Sequence, residues 1–306
     1  MDFDVIVIGE GVAGLTAAGE IAAKGHRVAT MEAQLFGGLI LNINELDPAP
    51  AGSTGGGAEF ASSLVEAAAN AGVESINEPV TRLEVIAGGV KVLTDGGART
   101  ARQVVVASGA RIKRLGIPGE AEYEGKGVSQ CADCDGPMYQ NEVAVVVGGG
   151  DSALQEALVL AQYCKAVQLV HHGEKFTGAA HLQEHVNGND KISKTFNATV
   201  SAVGGGQMVE KVTLKHNDGR SEDFACAGLF AYAGLLPNSA FLPAAIQRDA
   251  KGYVVANASL ETATPGVWVA GAVRSGCGGL IDDAIADGKK VASGVCAKLA
   301  KLAKLN

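Results

Sequence analysis

Two cysteines spaced for redox chemistry lie near the middle of the chain. Cys131 and Cys134 form a Cys-x-x-Cys pattern, which occurs both in thiol–disulfide exchange sites and in zinc knuckles. A zinc site needs two further ligands at matching spacing, and the sequence holds no second Cys-x-x-Cys pair. The pattern therefore favours redox chemistry. Asp135, next to the second sulfur, can move the proton that thiolate attack and release require.

The chain opens with a glycine-rich turn of the kind that binds a dinucleotide. Gly9, Gly11 and Gly14 form a Gly-x-Gly-x-x-Gly motif between a predicted strand and an Ala-rich helix. Such glycines permit a tight bend and the close approach of a pyrophosphate, which the helix amides then bind. Glu32, at the end of the next strand, is placed to accept the ribose hydroxyls. Glu10, between the glycines, would repel a phosphate unless it turns away or is screened.

A second turn of the same kind follows the cysteine pair. Its glycines are Gly148 and Gly150, and the third small position is an alanine, Ala153. The segment after the next strand begins His171-His172 and has neither an arginine cluster nor a clear ribose acid. Two dinucleotide sites and one dithiol indicate a flavin-dependent disulfide oxidoreductase.

The elements around these motifs alternate in the manner of an α/β protein. Short β-branched runs alternate with Ala-rich helical stretches. Strands are predicted over 4–9, 26–30, 142–147 and 166–170, and further strands over 252–255 and 266–271. Helices are predicted over 13–24, 59–71 and 152–163. Residues 79–106 are predicted to form antiparallel strands that rejoin the sheet, and residues 51–57 a glycine-rich loop. Linkers are predicted at 111–119 and 234–238, so the middle third looks like an insertion.

Composition narrows the function classes. The 306 residues carry a net charge of −8 and a pI near 5.3, so the chain offers no basic field for nucleic acid. It has no apolar run of the length a membrane helix needs and no secretory signal pattern at its start. Six cysteines, four of them scattered singly, do not resemble a secreted disulfide framework. A reducing cytoplasm is the expected location.

Two further patterns carry less weight. His181, Glu184 and His185 match a His-x-x-Glu-His pattern of some zinc proteases, but they follow a nucleotide-binding strand, so we expect a solvated helix face and no metal. Lys298, Lys301 and Lys304 near the C-terminus are expected to end a docked helix, where they complement its dipole.

The motifs together resemble the low-molecular-weight thioredoxin reductases. The resemblance rests on the first glycine turn, Gly37-Gly38 after the ribose acid, Ala107-Ser108-Gly109, the segment from Ser129 to Gly136 around the dithiol, and Gly148 to Ala153. It spans nearly the whole chain. It implies two Rossmann-like, three-layer nucleotide-binding domains: a discontinuous FAD domain at 1–112 and 242–306, and an inserted pyridine-nucleotide-type domain at 116–238 that carries the dithiol.

The resemblance also implies roles for individual residues. Cys134 would exchange electrons with the flavin, Cys131 would attack the substrate disulfide, and Asp135 would supply the proton. The implied FAD residues are Gly9, Gly11, Val12, Ala13, Gly14, Glu32, Gly37, Gly38, Val80, Ala107, Ser108, Gly109, Gly271 and Ala272. The implied pyridine-nucleotide residues are Gly148, Gly150, Asp151, Ser152, Ala153 and His171. The expected partner is a thioredoxin-like protein or a small disulfide or dithiol, and family members are usually homodimers.

This chain departs from the family pattern at the second nucleotide site. NADPH-dependent relatives carry three arginines after that strand, and His172, Gly173 and Thr177 occupy those positions here. A histidine or threonine cannot replace the bidentate charge that a guanidinium offers a 2′-phosphate. The sequence therefore disfavours NADPH and favours NADH or a donor that is not a nicotinamide.

A second departure lies in the C-terminal flavin motif. Ala272 stands where the family has an aspartate that holds the ribityl chain of FAD. The loss of that hydrogen bond would weaken FAD binding by on the order of 1–3 kcal/mol. Asp282-Asp283 replaces Arg-Gln at the following helix start. The longer loop before them carries Cys277, which we interpret as a small buried residue or a third redox thiol.

Three functional hypotheses remain open at this point. The first is an FAD-dependent disulfide reductase that uses NADH or a donor such as ferredoxin. The second is an FAD-dependent dithiol oxidase that passes electrons from a small dithiol to oxygen. The third is a non-catalytic flavin-binding protein that has kept the fold.

Overall fold

In the computed structural model, residues 1–43, 46, 49–50 and 55–304 are described. Of the predicted loop at 51–57, residues 51–54 lie outside the described part. The elements up to residue 112 are β1 (Phe3–Ile8), α1 (Val12–Ala22), β2 (Val28–Met31), α2 (Gly57–Asn70), β3 (Glu74–Ile76), β4 (Val80–Ile86), β5 (Gly89–Thr94), β6 (Gly97–Val106) and β7 (Ala110–Ile112). The next are β8 (Val128–Ser129), α3 (Ala132–Asp135), β9 (Val143–Val147), α4 (Asp151–Tyr163), β10 (Ala166–Val170), α5 (Ala180–Asn187), β11 (Ile192–Thr195), β12 (Ala198–Gly205), β13 (Val209–His216), β14 (Ser221–Ala225) and β15 (Gly228–Ala231). The last are β16 (Leu235–Pro237), β17 (Val267–Val269) and α6 (Ile281–Ala303).

The chain divides into two compact units. The first unit comprises Met1–Arg111 with Leu236–Asn306, and the second comprises Ile112–Leu235. The first unit is built on one sheet of order β3-β2-β1-β6-β5-β4, with β17 beside β6. Strands β3, β2, β1, β6 and β17 run parallel, whereas β4, β5 and β6 pair antiparallel.

Alternation along β1 shows why this sheet is buried on both faces. Val5 and Val7 pack into the core formed with helices α1 and α6. Ile6 and Ile8 pack into a second core on the other face. Successive side chains of a strand point to opposite faces, and a continuous apolar run is typical of a parallel strand covered on both sides. Gly288 lets α6 approach α1 closely, since a Cβ on Gly288 would lie 2.8 Å from the Ala13 carbonyl oxygen.

The second unit is built on a parallel sheet of order β11-β10-β9-β15-β8. Apolar residues of α4, among them Leu154 and Leu160, fill the core on one face. The antiparallel sheet β12-β13-β14 supplies the core on the other face, through residues such as Val200 and Leu214. The unit therefore has three layers.

The predicted α/β class is confirmed, and so is the antiparallel excursion before β6. The strand predicted at 252–255 is wrong, because Val254 makes only single bridges there, to Arg248 and Arg274. Asp249 explains this, since its carboxylate accepts bonds from the amides of Lys251 and Tyr253 and so closes a tight turn. Among the described residues, no helix combines the length and the apolar character needed to cross a membrane.

Candidate functional site

Four loops of the first unit meet at one edge of its sheet. Gly9 follows β1, Glu32 follows β2, Ala107 follows β6, and Gly271 follows β17 by two residues. These four strands run parallel, so their carboxyl ends lie at the same edge. Ligands of doubly wound sheets bind in the crevice at this edge. The fold thus brings together sequence motifs that are separated by up to 262 positions.

The first glycine turn has a shape that admits a phosphate group. A Cβ on Gly9 would lie 2.3 Å from the Ala107 carbonyl oxygen, and one on Gly14 would lie 2.0 Å from the Gly9 carbonyl oxygen. A Cβ on Gly11 would meet only the Gly37 carbonyl oxygen, at 3.8 Å. The outer two glycines are therefore needed for packing, whereas Gly11 leaves open space above the first turn of α1. Val12 and Ala13 supply the next amides of that turn, and free amides at a helix start bind anions.

Gly37 and Gly38 complete the same cradle. The Gly37 amide donates to the Glu10 carbonyl oxygen at 2.7 Å, and Gly37 pairs with Gly11 as an isolated bridge. Both glycines have positive φ, 94° and 64°, a backbone region that other residues rarely adopt. They therefore lie directly against the first glycine turn.

Two carboxylates at this edge have different roles. Glu32 is half-buried, and its carboxylate accepts bonds from the amides of Glu10, Ala33 and Gln34 at 2.8–3.0 Å. Glu10 is 6% exposed and turns toward the strands, where its Oε1 accepts from the hydroxyls of Thr30 and Ser75. The repulsion expected between Glu10 and a phosphate is thus relieved by its turning away. Glu32 is left as the carboxylate at the end of β2.

The segment Ala107-Ser108-Gly109 is held by one asparagine. Asn238 donates from Nδ2 to the Ser108 carbonyl oxygen at 3.0 Å and from its amide to the Gly109 carbonyl oxygen at 3.0 Å, while the Ser108 hydroxyl donates back to the Asn238 carbonyl oxygen at 2.7 Å. Sequence reasoning placed Asn238 only in a linker. Val80, another predicted residue, begins β4 and is half-buried beside the core under the sheet.

The C-terminal flavin motif carries an acid that sequence reasoning missed. The Gly271 amide donates to Asp287 Oδ2 at 3.0 Å, and Asp287 also forms a bidentate ion pair with Arg274, at 2.8 and 3.0 Å. Asp287 lies on α6 and is 7% exposed. Ala272, next to Gly271, has no carboxylate. Asp287, fifteen residues after Ala272, supplies a carboxylate to the same turn. The only sequence signal was an isolated acid in an amphipathic helix.

The predicted cysteine pair forms a disulfide in the second unit. Cys131 and Cys134 are bonded, with Cα atoms 5.3 Å apart. Cys131 caps α3, and its Sγ accepts a bond from the Cys134 amide at 3.1 Å. Cys134 is exposed and Cys131 is half-buried. An amide directed at Cys131 Sγ would stabilise a thiolate on that sulfur. Asp135 is half-buried at the end of α3, and its charge contributes to raising the pKa of Tyr139, after burial as the main cause.

A buried carboxylate lies behind the dithiol. Glu156 on α4 is 9% exposed, and its Oε2 accepts from the Ala132 amide at 2.8 Å and from the Tyr232 hydroxyl at 3.0 Å. Burial raises the pKa of Glu156 to about 7, although both hydrogen bonds oppose the shift. Sequence reasoning did not find Glu156, because a glutamate next to Gln155 in an amphipathic helix looks like a solvent-exposed pair in the sequence.

The second glycine turn lies at the same edge of its sheet as the dithiol. Gly148 follows β9 and Cys131 follows β8 by two residues, and both strands run parallel to β15 between them. A Cβ on Gly150 would meet only Thr177 Oγ1, at 4.0 Å, so this turn also has an open approach. Asp151, Ser152 and Ala153 form the first turn of α4, and Asp151 Oδ1 accepts a bond from the Ala179 amide at 2.6 Å.

His171 occupies the side of this turn rather than its open approach. A Cβ on Gly149 would lie 2.4 Å from His171 Nδ1. His171 is 5% exposed, and its Nδ1 has no hydrogen-bond partner. Burial lowers the pKa of His171, and the neighbouring His172 lowers it further. His171 is therefore neutral at physiological pH. Unlike the buried His171, His172 and Thr177 are exposed.

The remaining candidates are His181 and His185, Cys277 and Lys298, and the Cys277 amide donates to the Arg274 carbonyl oxygen at 3.3 Å. His181 and His185 lie on α5, with ring centroids 6.4 Å apart, and no group of three or more potential metal ligands occurs in the described part of the chain. Cys277 is half-buried, and burial raises the pKa of its thiol. Lys298 in α6 pairs with Glu261 at 3.0 Å.

Comparison with known proteins gives consistent results. Residues 3–288 match the family model described as pyridine nucleotide-disulphide oxidoreductase. The chain is 36% identical over 276 residues to a thioredoxin reductase of Treponema pallidum, covering 90% of each sequence. The structure is similar to that of Lactococcus lactis thioredoxin reductase, with a TM-score of 0.94, 30% identity and coverage of 98% and 99% of the two chains. It is also similar to the thioredoxin reductase of T. acidophilum, with a TM-score of 0.92, 30% identity and coverage of 98% and 99%.

Proposed function

This chain belongs to the pyridine nucleotide-disulphide oxidoreductase family as an FAD-dependent, thioredoxin reductase-like enzyme, and we propose that its electrons pass between FAD and a substrate disulfide through Cys131 and Cys134. One observation carries the proposal. The second unit places a formed Cys131–Cys134 disulfide and an open glycine turn at the same edge of one parallel sheet.

We assign FAD to the first unit. Gly11, Val12, Ala13, Gly37 and Gly38 would hold the pyrophosphate, and Glu32 would accept the ribose hydroxyls. The space over Gly11 supports this assignment, because a side chain there would fill the approach to the helix amides. Bound FAD would supply a two-electron store. Asp287 would hold the Gly271 turn beside it in place of an acid at position 272.

The protein's own residues provide the thiol chemistry. After reduction, a Cys131 thiolate would attack one sulfur of the substrate disulfide and release the other as a thiol. Cys134 would then attack Cys131, release the second substrate thiol and restore the Cys131–Cys134 bond. The Cys134 amide at 3.1 Å from Cys131 Sγ supports Cys131 as the attacking sulfur. Asp135, at the end of the same short helix, would give and take the proton.

The donor is proposed to be NADH or a molecule that is not a nicotinamide. Within the described loop 171–179, His171 is buried and neutral, and His172 and Thr177 occupy two of the arginine positions. Lys175 is the cation of this loop, and Glu174 beside it carries the opposite charge. A 2′-phosphate carries close to two negative charges and is best held by bidentate guanidinium groups. This loop therefore supports a nucleotide without that phosphate.

The substrate is proposed to be a thioredoxin-like protein or a small disulfide. The exposed Cys134 and the exposed Met138 nearby would leave the dithiol accessible to either. We expect the protein to act in the cytoplasm as a homodimer.

An anaerobic titration tests the donor. FAD-loaded protein is titrated with NADPH, NADH and dithiothreitol in separate cuvettes, and the flavin absorbance is followed. NADH or a dithiol should bleach the flavin within about two equivalents per FAD, because the flavin and the Cys131–Cys134 disulfide each take up two electrons, whereas NADPH should not. Strong stoichiometric bleaching by NADPH would refute the donor assignment. Bleaching only by the dithiol, with peroxide formed on admission of air, would instead identify a dithiol oxidase.

A further inference from the structure

Glu156 connects three parts of the second unit behind the dithiol. Its Oε2 accepts from the Ala132 amide, which belongs to the residue between Cys131 and Asp133, and from the hydroxyl of Tyr232, which follows β15. Ala132 is fully buried, and Glu156 is 9% exposed. A buried carboxylate that accepts two bonds fixes the backbone it holds, because leaving the Ala132 amide unpaired would be costly.

The charge of Glu156 lies close to the sulfur chemistry. The Ala132 amide, 2.8 Å from the carboxylate, directly follows the carbonyl of Cys131. An anion at this place opposes a second anion on sulfur, since like charges disfavour each other's ionised form more strongly where water is excluded. Neutral Glu156 would not oppose it. The protonation of Glu156 and the charge of the reduced dithiol are therefore linked.

We propose that Glu156 is a positioning residue that holds the dithiol backbone and takes up one proton when the Cys131–Cys134 disulfide is reduced. This inference rests on the proposed function and adds the proton path that serves it. Reduction consumes two electrons, from the flavin or from an added dithiol, and two protons. One proton ends on a sulfur as a thiol. The other sulfur remains a thiolate, and Glu156 holds the second proton.

The elements packed against α4 carry other ionisable groups. Asp133 on α3 raises the pKa of Glu156 by its negative charge, although burial is the larger cause. The same burial keeps Tyr232 protonated, because it raises the pKa of that phenol. The ionisable groups on the remaining neighbours are Asp135 on α3, Tyr139 beyond it, His181, Glu184 and His185 on α5, and Lys194 on β11. Of these charges, that of Asp133 acts on the pKa of Glu156, after burial as the main cause.

The test measures the reduction potential of the Cys131–Cys134 pair in the FAD-loaded full-length protein. Samples are equilibrated anaerobically with dithiothreitol redox buffers at pH 6 and pH 8.5, quenched, and alkylated. Mass spectrometry of the peptide that carries both cysteines then gives the reduced fraction. The variants are Glu156→Gln, which removes the charge and keeps an acceptor, Tyr232→Phe, and Glu184→Gln as the control. Glu184 is an exposed glutamate of the same unit.

Glu156→Gln should make the pair up to about tenfold easier to reduce at pH 8.5, equivalent to a potential about 30 mV higher, and should match wild type at pH 6. Tyr232→Phe should shift the potential in the same direction by less, because Glu156 without that bond holds its proton more tightly. Glu184→Gln should match wild type at both pH values.

Three results would overturn the proposal. One is a Glu156→Gln potential equal to wild type at pH 8.5. Another is a shift of equal size at pH 6 and pH 8.5, since a purely structural role would not depend on the proton. If Glu156→Gln does not fold, an unshifted Tyr232→Phe at pH 8.5 overturns it as well. Dithiothreitol reduces the Cys131–Cys134 pair directly, so this test does not depend on electron exchange with the flavin. If that exchange fails, the flavin stays oxidised while the shifts in potential are still observed.

Discussion

Removing the Asp287 carboxylate should destabilise the first unit strongly. Asp287→Ala leaves the Gly271 amide without its acceptor and leaves Arg274 without the partner of a bidentate pair. The two side chains of that pair are 9% and 19% exposed, so water replaces the lost bonds poorly. The hydrogen bond to Asp287 raises the pKa of Arg274. Arg274 keeps its charge without that carboxylate, because a guanidinium stays protonated in proteins.

The expected loss follows from this burial. Breaking one side of a buried ion pair costs about 3–5 kcal/mol. We place Asp287→Ala near 3 kcal/mol, because Arg274 keeps a fifth of its side chain exposed and can turn toward water. With a urea m-value of about 2 kcal/mol/M, the unfolding midpoint should fall by about 1.5 M.

A single tryptophan makes this measurement specific to the first unit. Trp268 is the only tryptophan of the chain, lies in β17 and is 2% exposed, so its fluorescence reports unfolding close to Gly271. The matched control is Glu84→Ala in the same unit, where the ion pairs with Arg82 and Lys91 are 3.5 and 3.7 Å long and more exposed. That variant should lose at most about 1 kcal/mol. Equal midpoints for the two variants would refute the role assigned to Asp287.

Three further predictions concern the pH response, the flavin turn and the donor. Burial raises the pKa of Glu156 from its ordinary value of 4.5 to about 7 in the folded protein, so the folded state binds its proton more tightly. The free energy of unfolding of wild type, relative to that of Glu156→Gln, should therefore fall by up to about 3 kcal/mol as the pH rises from 4.5 to 7. Urea unfolding of both proteins across that pH range checks this, and a difference between them that does not change with pH would contradict it. Gly271→Ala should lower the flavin content of the purified protein, measured by the ratio of flavin to protein absorbance, because Gly271 has φ 75° and its new Cβ would lie 2.7 Å from the Ala13 Cβ; full flavin content would show that the turn tolerates the change. The double variant His172→Arg/Thr177→Arg should improve kcat/KM for NADPH relative to NADH by at least about tenfold, since each charge-assisted bond to a phosphate is worth about 1.5–3 kcal/mol; an unchanged ratio would show that this loop does not read the 2′-phosphate.

Much of the candidate site follows from local sequence. The strand predicted at 166–170 matches β10 residue for residue, because a short β-branched run after a strand and a helix completes a strand–helix–strand pattern and is too short for a helix. The glycine turn at Gly9 could be predicted because its motif, its strand and its helix are contiguous. The disulfide between Cys131 and Cys134 needs only the two residues between them to bring the sulfurs together.

The interactions missed from the sequence are those that join distant segments. Asp287 reaches Gly271 from another element, and an acid in a helix looks the same in sequence whether it faces water or a buried turn. Glu156 follows the polar Gln155 in α4, and its partners Ala132 and Tyr232 lie 24 residues before it and 76 after it. The sequence left open whether Glu10 turns away from a phosphate, because the hydroxyls that hold it belong to strands β2 and β3. Only the packed sheet shows which of these polar groups meet.

Electron exchange between the dithiol and the flavin is the central claim, and dithiol-driven bleaching tests it most directly. FAD-loaded wild type and Cys134→Ser are mixed anaerobically with dithiothreitol in a stopped-flow instrument, and the flavin absorbance is recorded. The exposed sulfur of Cys134 is the one assigned to the flavin, so wild type should bleach rapidly and Cys134→Ser should bleach at least about a hundredfold more slowly, which corresponds to about 2.7 kcal/mol of lost transition-state stabilisation. Equal bleaching rates for the two proteins would contradict the account, because electrons would then reach the flavin without the Cys131–Cys134 pair.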